Sequence, residues 1–230
     1  MSPIMPTPKA TQLRALLAEK FPGLRLRLDP APAAEYQFQP AGVPQIDNAL
    51  RGGFPRGALT EIVAAGPNGG SSTLIRALLQ QAALAHEILA LIDGTDSFEA
   101  APLDANCLAR LLWIRCHTAA EAVQAADLIL RDSNLPLVLL DLKLNPESQL
   151  RKIPATTWYR FQRLLEATGT VGLVFTPRPL LATARARITL RPQFSLAALD
   201  ADAAELLREL KLEVSNPHKQ VELEFPELRP

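Results

Sequence analysis

A chain of 230 residues, 48% of them hydrophobic, is long enough to bury one substantial core. Its 24 basic and 24 acidic residues cancel, which argues against a nucleic-acid binder that is basic over its whole surface. No apolar run approaches the ~18 residues of a membrane span, the N-terminus lacks the pattern of a signal peptide, and two cysteines are too few for a disulfide framework or a zinc site. We therefore expect a cytoplasmic protein without membrane contact.

The N-terminal residues 1–40 are predicted to form an arm that precedes a core domain at 41–230. Residues 10–21 carry apolar side chains at helical spacing, which predicts a short amphipathic helix. That helix could pack on its own core or on another molecule, and the sequence leaves both interpretations open. Residues 29–44 contain four prolines and are interpreted as a linker.

The stretch 59–73 has the pattern of a strand, a glycine-rich turn and a helix. Ile62 and Val63 favour extended backbone, residues 64–70 are dense in turn formers, and apolar residues recur at helical spacing from Leu74 onward. This order is typical of a phosphate-binding P-loop, in which backbone N–H groups and a helix N-terminus face an anion. An ordinary strand-to-helix turn is the alternative.

The P-loop string G-x-x-x-x-G-K-[ST] fits this stretch in two registers. One starts at Ala64 and puts Gly70 at the lysine position and Ser71 at the hydroxyl position. The other starts at Gly66 and also lacks the lysine. The residues expected to contact a nucleotide, if one binds, are Gly66, Gly69, Gly70, Ser71, Ser72 and the strand-end carboxylate Asp141.

From Thr60 onward, strand and helix patterns alternate, which predicts an α/β fold with a mostly parallel sheet and helices on both faces. Strands are predicted at 59–63, 88–92, 111–115, 136–141, 171–175 and 185–190. Helices are predicted at 71–84, 118–131 and 155–167, the second of them opened by the capping box Thr118-Ala-Ala-Glu121. A further helix at 197–206 and a hairpin at 208–225 complete the predicted core.

Charge is unevenly distributed along the C-terminal half. Residues 151–191 hold eight Arg and Lys against the single Glu166, whereas 200–227 is mostly acidic. Trp158, Phe161 and Leu165 lie at helical spacing and are interpreted as core, with Tyr159 elsewhere on that helix. The candidates for contact with single-stranded DNA or a protein partner are Arg160, Arg163, Arg178, Arg185 and Arg187.

Several stretches resemble the core of the RecA recombinase family, in order, over about residues 9–225. They are 42–63, which resembles the entry to the P-loop strand, 90–96, the second core strand, 137–141, the Walker B strand, and 217–225, the closing hairpin. The resemblance implies a RecA-like P-loop NTPase core and favours the register that starts at Ala64. Residues 111–116 and 151–161 are similar to the ImuA or SulA-like branch, which is associated with translesion synthesis.

Compared with that family, the chain lacks most parts of the ATP-hydrolysing site. The departures are Gly70 for the P-loop lysine, Thr95 for the catalytic glutamate, Glu213 for one of two hairpin lysines, and Thr176-Pro177 for a glutamine sensor. Asp96 lies one residue beyond the glutamate position, and Lys211 stands at the other hairpin lysine. Asp141 fits the carboxylate that holds magnesium through water, although a strand-end carboxylate with no metal is the alternative.

We therefore expect no significant ATPase activity, no independent metal site, and at most weak binding of ATP and magnesium. The resemblance implies an accessory protein of DNA repair and SOS damage tolerance that contacts a translesion polymerase subunit or RecA and binds single-stranded DNA weakly. The short connection at 176–184 contains two prolines and is not expected to support ordinary strand exchange. The alternative function is a divergent DNA-dependent ATPase of homologous recombination.

Overall fold

The computed structural model describes residues 38–64, 70–191, 206–207 and 210–215. The strands are β1 (Phe38–Gln39), β2 (Phe54–Pro55), β3 (Ala58–Ala64), β4 (Leu89–Asp93), β5 (Leu111–Arg115), β6 (Leu137–Asp141), β7 (Val171–Thr176), β8 (Ala186–Arg191) and β9 (Lys211–Ser215). The helices are α1 (Pro44–Ala49), α2 (Ser71–Leu84), α3 (Ala105–Leu108), α4 (Ala119–Asp132), α5 (Glu147–Leu150) and α6 (Ala155–Thr168).

Seven strands form one sheet in the order β5-β4-β6-β7-β3-β8-β9. Neighbouring strands pair in parallel from β5 to β8, and β9 pairs antiparallel with β8. Parallel strands are buried on both faces, which explains why β3, β4 and β7 are apolar almost throughout. The predicted α/β fold with a mostly parallel sheet is therefore confirmed.

The two faces of the sheet carry separate apolar cores. On one face α2 packs through Leu74 and Leu78 against strand residues such as Ile62. On the other face lie α4 and α6, where Trp158, Phe161 and Leu165 are buried as predicted, at 5%, 1% and 0% exposure. Cys107 and Cys116 are buried free thiols, and burial raises the pKa of both.

The capping box predicted for α4 is present in a shifted form. Thr118 Oγ1 accepts a hydrogen bond from the Glu121 N–H at 3.2 Å, and the Glu121 carboxylate accepts one from the His117 N–H at 2.9 Å. The second bond reaches one residue before the cap, and it is the main reason why the pKa of Glu121 lies below its ordinary value.

One prediction is wrong over part of its range. A linker was expected at 29–44, but β1 pairs with β2 and α1 begins at Pro44. Residues 29–37 lie outside the described residues. Proline is tolerated at a first helical position, so it marks a helix start here and not a linker. The predicted helix at 10–21 and residues 216–225 of the hairpin lie outside the described residues, as does nearly all of the helix predicted at 197–206.

No helix within the described ranges is long and apolar enough to cross a membrane.

Candidate phosphate-binding edge of the sheet

The carboxyl ends of the parallel strands meet at one edge of the sheet. Asp93 at the end of β4 is in register with Asp141 at the end of β6, and Thr176 ends β7 beside Val63 of β3. Crevices outside this edge are where open α/β folds bind ligands. Asp141 and Thr176, two positions that the sequence singled out, therefore end neighbouring strands at one edge.

Helix α2 begins at this edge immediately after Gly70, whose φ of 74° is left-handed and suits glycine. Its first hydrogen bond runs from the Leu74 N–H to the Gly70 carbonyl, so the N–H groups of the three residues before Leu74 have no acceptor within the helix. There is no acidic side chain in the first turn. The helix therefore presents an uncapped, electropositive end, while Gly66 and Gly69 lie outside the described residues.

Lys143 lies at the same edge and was not anticipated from the sequence. Its side chain comes from the turn after β6, is 7% exposed as a residue, and donates a hydrogen bond from Nζ to Ser71 Oγ at 2.5 Å. In the described part of the chain, no carboxylate forms an ion pair with this ammonium. The Lys143 ammonium thus lies at the start of α2. In the family pattern the cation at this place is a lysine of the glycine-rich loop itself.

Asp141 ends β6, two residues before Lys143. Its Oδ1 accepts the backbone N–H of Lys143 at 3.0 Å. Burial raises the pKa of the Asp141 carboxyl, and the nearby Asp93 charge raises that pKa further, whereas Lys143 opposes both effects. The carboxyl ends of β4 and β6 therefore carry a coupled acidic pair with one lysine beside it.

The Asp93 carboxylate accepts hydrogen bonds from the turn that follows its own strand. Its Oδ2 accepts the Phe98 N–H at 2.7 Å and its Oδ1 accepts the Thr95 N–H at 3.3 Å. It therefore holds the turn that follows β4, and it is 1% exposed.

The position expected for the catalytic glutamate holds no carboxylate. Thr95 Oγ1 donates to Ser97 Oγ at 3.0 Å. The next residue, Asp96, has a left-handed φ of 54° and accepts two hydrogen bonds from Arg115, at 2.6 and 2.7 Å. This bidentate pair at the end of β5 lowers the pKa of Asp96 and directs its carboxylate towards the edge strand.

Thr176, at the position expected for a glutamine sensor, is hydrogen-bonded to a buried side chain. Thr176 Oγ1 donates to Glu61 Oε1 at 3.1 Å. Glu61 has no exposed surface, and the same oxygen accepts the N–H groups of Leu180 and Leu181 at 2.6 and 3.1 Å. The connection between β7 and β8 is therefore fastened to β3 by one buried carboxylate.

The five arginines proposed for DNA or partner contact do not form one free basic surface. Arg187 donates to Glu61 Oε2 at 2.6 Å, and only 20% of its side chain is exposed. Arg160 pairs with Asp127 at 2.9 Å, and Arg178 pairs with Glu147. Arg163 and Arg185 are exposed and make no ion pair with a carboxylate in the described part.

The residues at this edge do not fit a magnesium ion bound as in the family pattern. That ion would be coordinated by the Ser71 hydroxyl, and this oxygen already accepts a hydrogen bond from the Lys143 ammonium. Within the described ranges no group of three or more His, Cys, Asp or Glu side chains could hold a metal.

At the C-terminal hairpin, Glu213 pairs with Arg191 at 2.9 Å.

Comparison with known proteins identifies the fold. No protein-family model and no curated protein matches the chain. The chain is similar to the crystal structure of the RadB recombinase, with 15% sequence identity and a TM-score of 0.51, over 65% of this chain and 81% of that chain. This likeness establishes the RecA-like fold, and it says nothing of what this chain binds.

Proposed function

We propose that the chain is a RecA-like accessory protein of DNA-damage tolerance that supports translesion synthesis through protein contacts and does not hydrolyse ATP. The main observation behind this proposal is that no carboxylate stands at the position of the catalytic glutamate. Thr95 stands at its position, and the adjacent Asp96 is held by Arg115 through two bonds of 2.6 and 2.7 Å. The pair directs the carboxylate towards β5, and hydrolysis in this fold depends on a carboxylate that orients the attacking water.

Two further contacts support the loss of hydrolysis. Thr176 donates to Glu61 and is not free to sense a γ-phosphate. Glu213, where the family pattern has a lysine, brings negative charge that a triphosphate would repel, although Arg191 partly offsets it. Together with the missing P-loop lysine, these contacts favour a protein that uses the fold as a scaffold.

The two stretches that resemble the translesion-associated branch contribute exposed apolar surface, which favours protein contacts. Leu112 lies on β5, at one end of the strand order, and is 40% exposed. Tyr159 lies on α6 and is 58% exposed. Tyrosine is enriched at protein interfaces, and an apolar side chain on the edge strand is available to a partner. We propose a translesion polymerase subunit or RecA as the partner, with the N-terminal arm contributing to the contact.

The proposal is tested by damage-induced mutagenesis in the organism that encodes the chain. Deleting the gene should lower the frequency of damage-induced mutations, and expression of the Asp141→Ala variant should restore it, because no turnover is required. A chain that lacks residues 1–28 should fail to restore it and should fail to co-purify with the polymerase subunit or RecA. Full restoration by the truncated chain would rule out the arm as a contact, and unchanged mutagenesis after gene deletion would refute the role.

The second candidate is a divergent DNA-dependent ATPase of homologous recombination. The buried Lys143 favours it, since a cation beside the P-loop helix is what a phosphate ligand needs. Under this alternative Asp141→Ala would not restore the lost phenotype, and the deletion would reduce recombination frequency and leave mutagenesis unchanged.

A further inference from the structure

We propose that Lys143 supplies a built-in cation at the place where a P-loop site would hold magnesium, so that this edge binds a di- or triphosphate anion without a divalent metal. The site would bind such an anion whether or not the chain acts in damage tolerance.

The first ground is the buried charge of Lys143. A lysine that is 7% exposed has lost most of its hydration, and buried charges are normally paired. Its hydrogen bond goes to the neutral hydroxyl of Ser71, which leaves two N–H donors of the ammonium without an acceptor among the described residues. The neighbouring stretch 65–69, Ala-Gly-Pro-Asn-Gly, contains no acidic residue that could pair with it. The Asp141 carboxyl acts on this ammonium electrostatically but forms no ion pair with it, so the two remaining N–H donors are available to a ligand.

The second ground is the element that this ammonium touches. Ser71 opens α2, a helix of 14 residues with an uncapped start and no acidic side chain in its first turn. The N–H groups of its first turn have no acceptor within the helix, and the lysine ammonium reaches the same helix start from a different element. Both are donors. Donors and positive charge in this arrangement match the oxygens of a phosphate.

The third ground explains why a metal is excluded. The Lys143 ammonium donates a hydrogen bond to the Ser71 hydroxyl, which would coordinate magnesium in the family pattern. Asp141 Oδ1 accepts a hydrogen bond from the Lys143 backbone N–H. A divalent cation would have to displace this lysine, and at close range it would be repelled by it. Lys143 therefore supplies the positive charge that the P-loop lysine and the magnesium ion would otherwise provide.

Isothermal titration of the full chain with inorganic pyrophosphate and with ADP, each in EDTA and in magnesium, tests the proposal. Both probes should bind in EDTA, and magnesium should not strengthen either complex. Lys143→Met should weaken binding about tenfold or more, since a hydrogen bond to a charged group contributes roughly 1.5–3 kcal/mol. Lys152→Met, at an exposed lysine, is the matched control and should bind like the parent chain.

Three results would overturn the proposal: no binding of either probe in EDTA, binding that requires magnesium, or an unchanged affinity in Lys143→Met. Circular dichroism checks that the variant is folded. If it is not, the parent chain still decides the matter, because tight binding in magnesium with none in EDTA contradicts a built-in cation. Lys143→Arg, which keeps the charge, should retain more affinity than Lys143→Met.

Discussion

Glu61 anchors the connection between β7 and β8 to β3. It lies inside β3 with no exposed surface, and it accepts hydrogen bonds from Thr176, Leu180, Leu181 and Arg187. These donors satisfy a charge that would otherwise be costly to bury. Arg187 also donates from Nη2 to the Leu181 carbonyl at 3.1 Å, so the pair fixes both ends of the connection between β7 and β8.

Replacing Arg187 by methionine should destabilise the fold by about 3 kcal/mol, because it leaves the Glu61 carboxylate buried without a counter-charge. Urea unfolding followed by circular dichroism measures this loss. Arg185→Met is the matched control, since Arg185 is exposed, and it should change stability by less than about 0.5 kcal/mol. Equal stability of the two variants would show that the buried pair contributes nothing.

Glu147 gives a prediction of pH dependence. Hydrogen bonds from Arg178 and then Arg151 lower the pKa of its carboxyl from 4.5 to about 2. A depressed folded-state pKa means that this contribution to stability is present above pH 4.5 and is lost as the pH falls towards 2. A carboxyl-carbon NMR titration should place the Glu147 midpoint near the lower value, and Arg178→Gln should raise it. A parent midpoint near 4.5 would contradict the contact.

At the scale of elements, the α/β core was predictable because its strands are buried on both faces. The strand at 111–115 and the helix at 71–84 were predicted with their observed bounds, and the glycine-rich stretch before Ser71 marks the start of that helix. The β1–β2 pair was missed because strands of two residues carry no period for a pattern to reveal.

The contacts of the candidate site were less predictable. The strand predicted at 136–141 ends at Asp141 as observed, and parallel pairing brings this end to the same edge as the end of β4. The bond between Lys143 and Ser71 joins residues 72 apart in the chain, and it depends on how α2 docks beside β6. A lysine two residues after a predicted Walker B carboxylate is the one signal that the sequence offered.

Helices α4 and α6 provide a matched pair of C-terminal caps. Both have 14 residues, and the residue that follows each is left-handed, Ser133 with φ 57° and Gly169 with φ 69°. A side chain in this conformation costs roughly 1–2 kcal/mol, whereas glycine adopts it freely. Ser133→Gly should therefore stabilise the fold by about 0.5–1 kcal/mol, and Gly169→Ala should destabilise it by about 1 kcal/mol.

Thermal unfolding of the two variants beside the parent chain measures these effects. A Cβ at Gly169 would have no atom within 4 Å, so any loss there reports backbone conformation and not a clash. Shifts of the same sign in both variants would contradict the assignment.

For the whole molecule, the basic stretch at 151–191 is largely neutralised by partners that lie far away in the sequence. Arg160, Arg178 and Arg187 pair with carboxylates on α4, α5 and β3. A charge count along the chain cannot detect such pairing, because it depends on tertiary contacts. Among the five candidates this leaves Arg163 and Arg185 as exposed arginines without an ion pair in the described part.

Binding of single-stranded DNA should therefore be weak and should respond only modestly to salt. Two phosphate contacts correspond to a slope of about −1.4 in a plot of log affinity against log salt concentration. Fluorescence anisotropy with a labelled oligonucleotide should show this slope, and Arg163→Ala combined with Arg185→Ala should abolish binding. Arg131→Ala, at an arginine paired with Asp127, is the control. A slope several times steeper would indicate a larger basic surface.

We propose that this RecA-like fold does not hydrolyse ATP, and phosphate release by the purified chain is the assay that decides it. Release should stay at background with ATP and magnesium, with or without single-stranded DNA, and should be the same in Asp141→Ala, because no carboxylate is available at Thr95 to orient the attacking water. DNA-stimulated release that Asp141→Ala abolishes would contradict the claim.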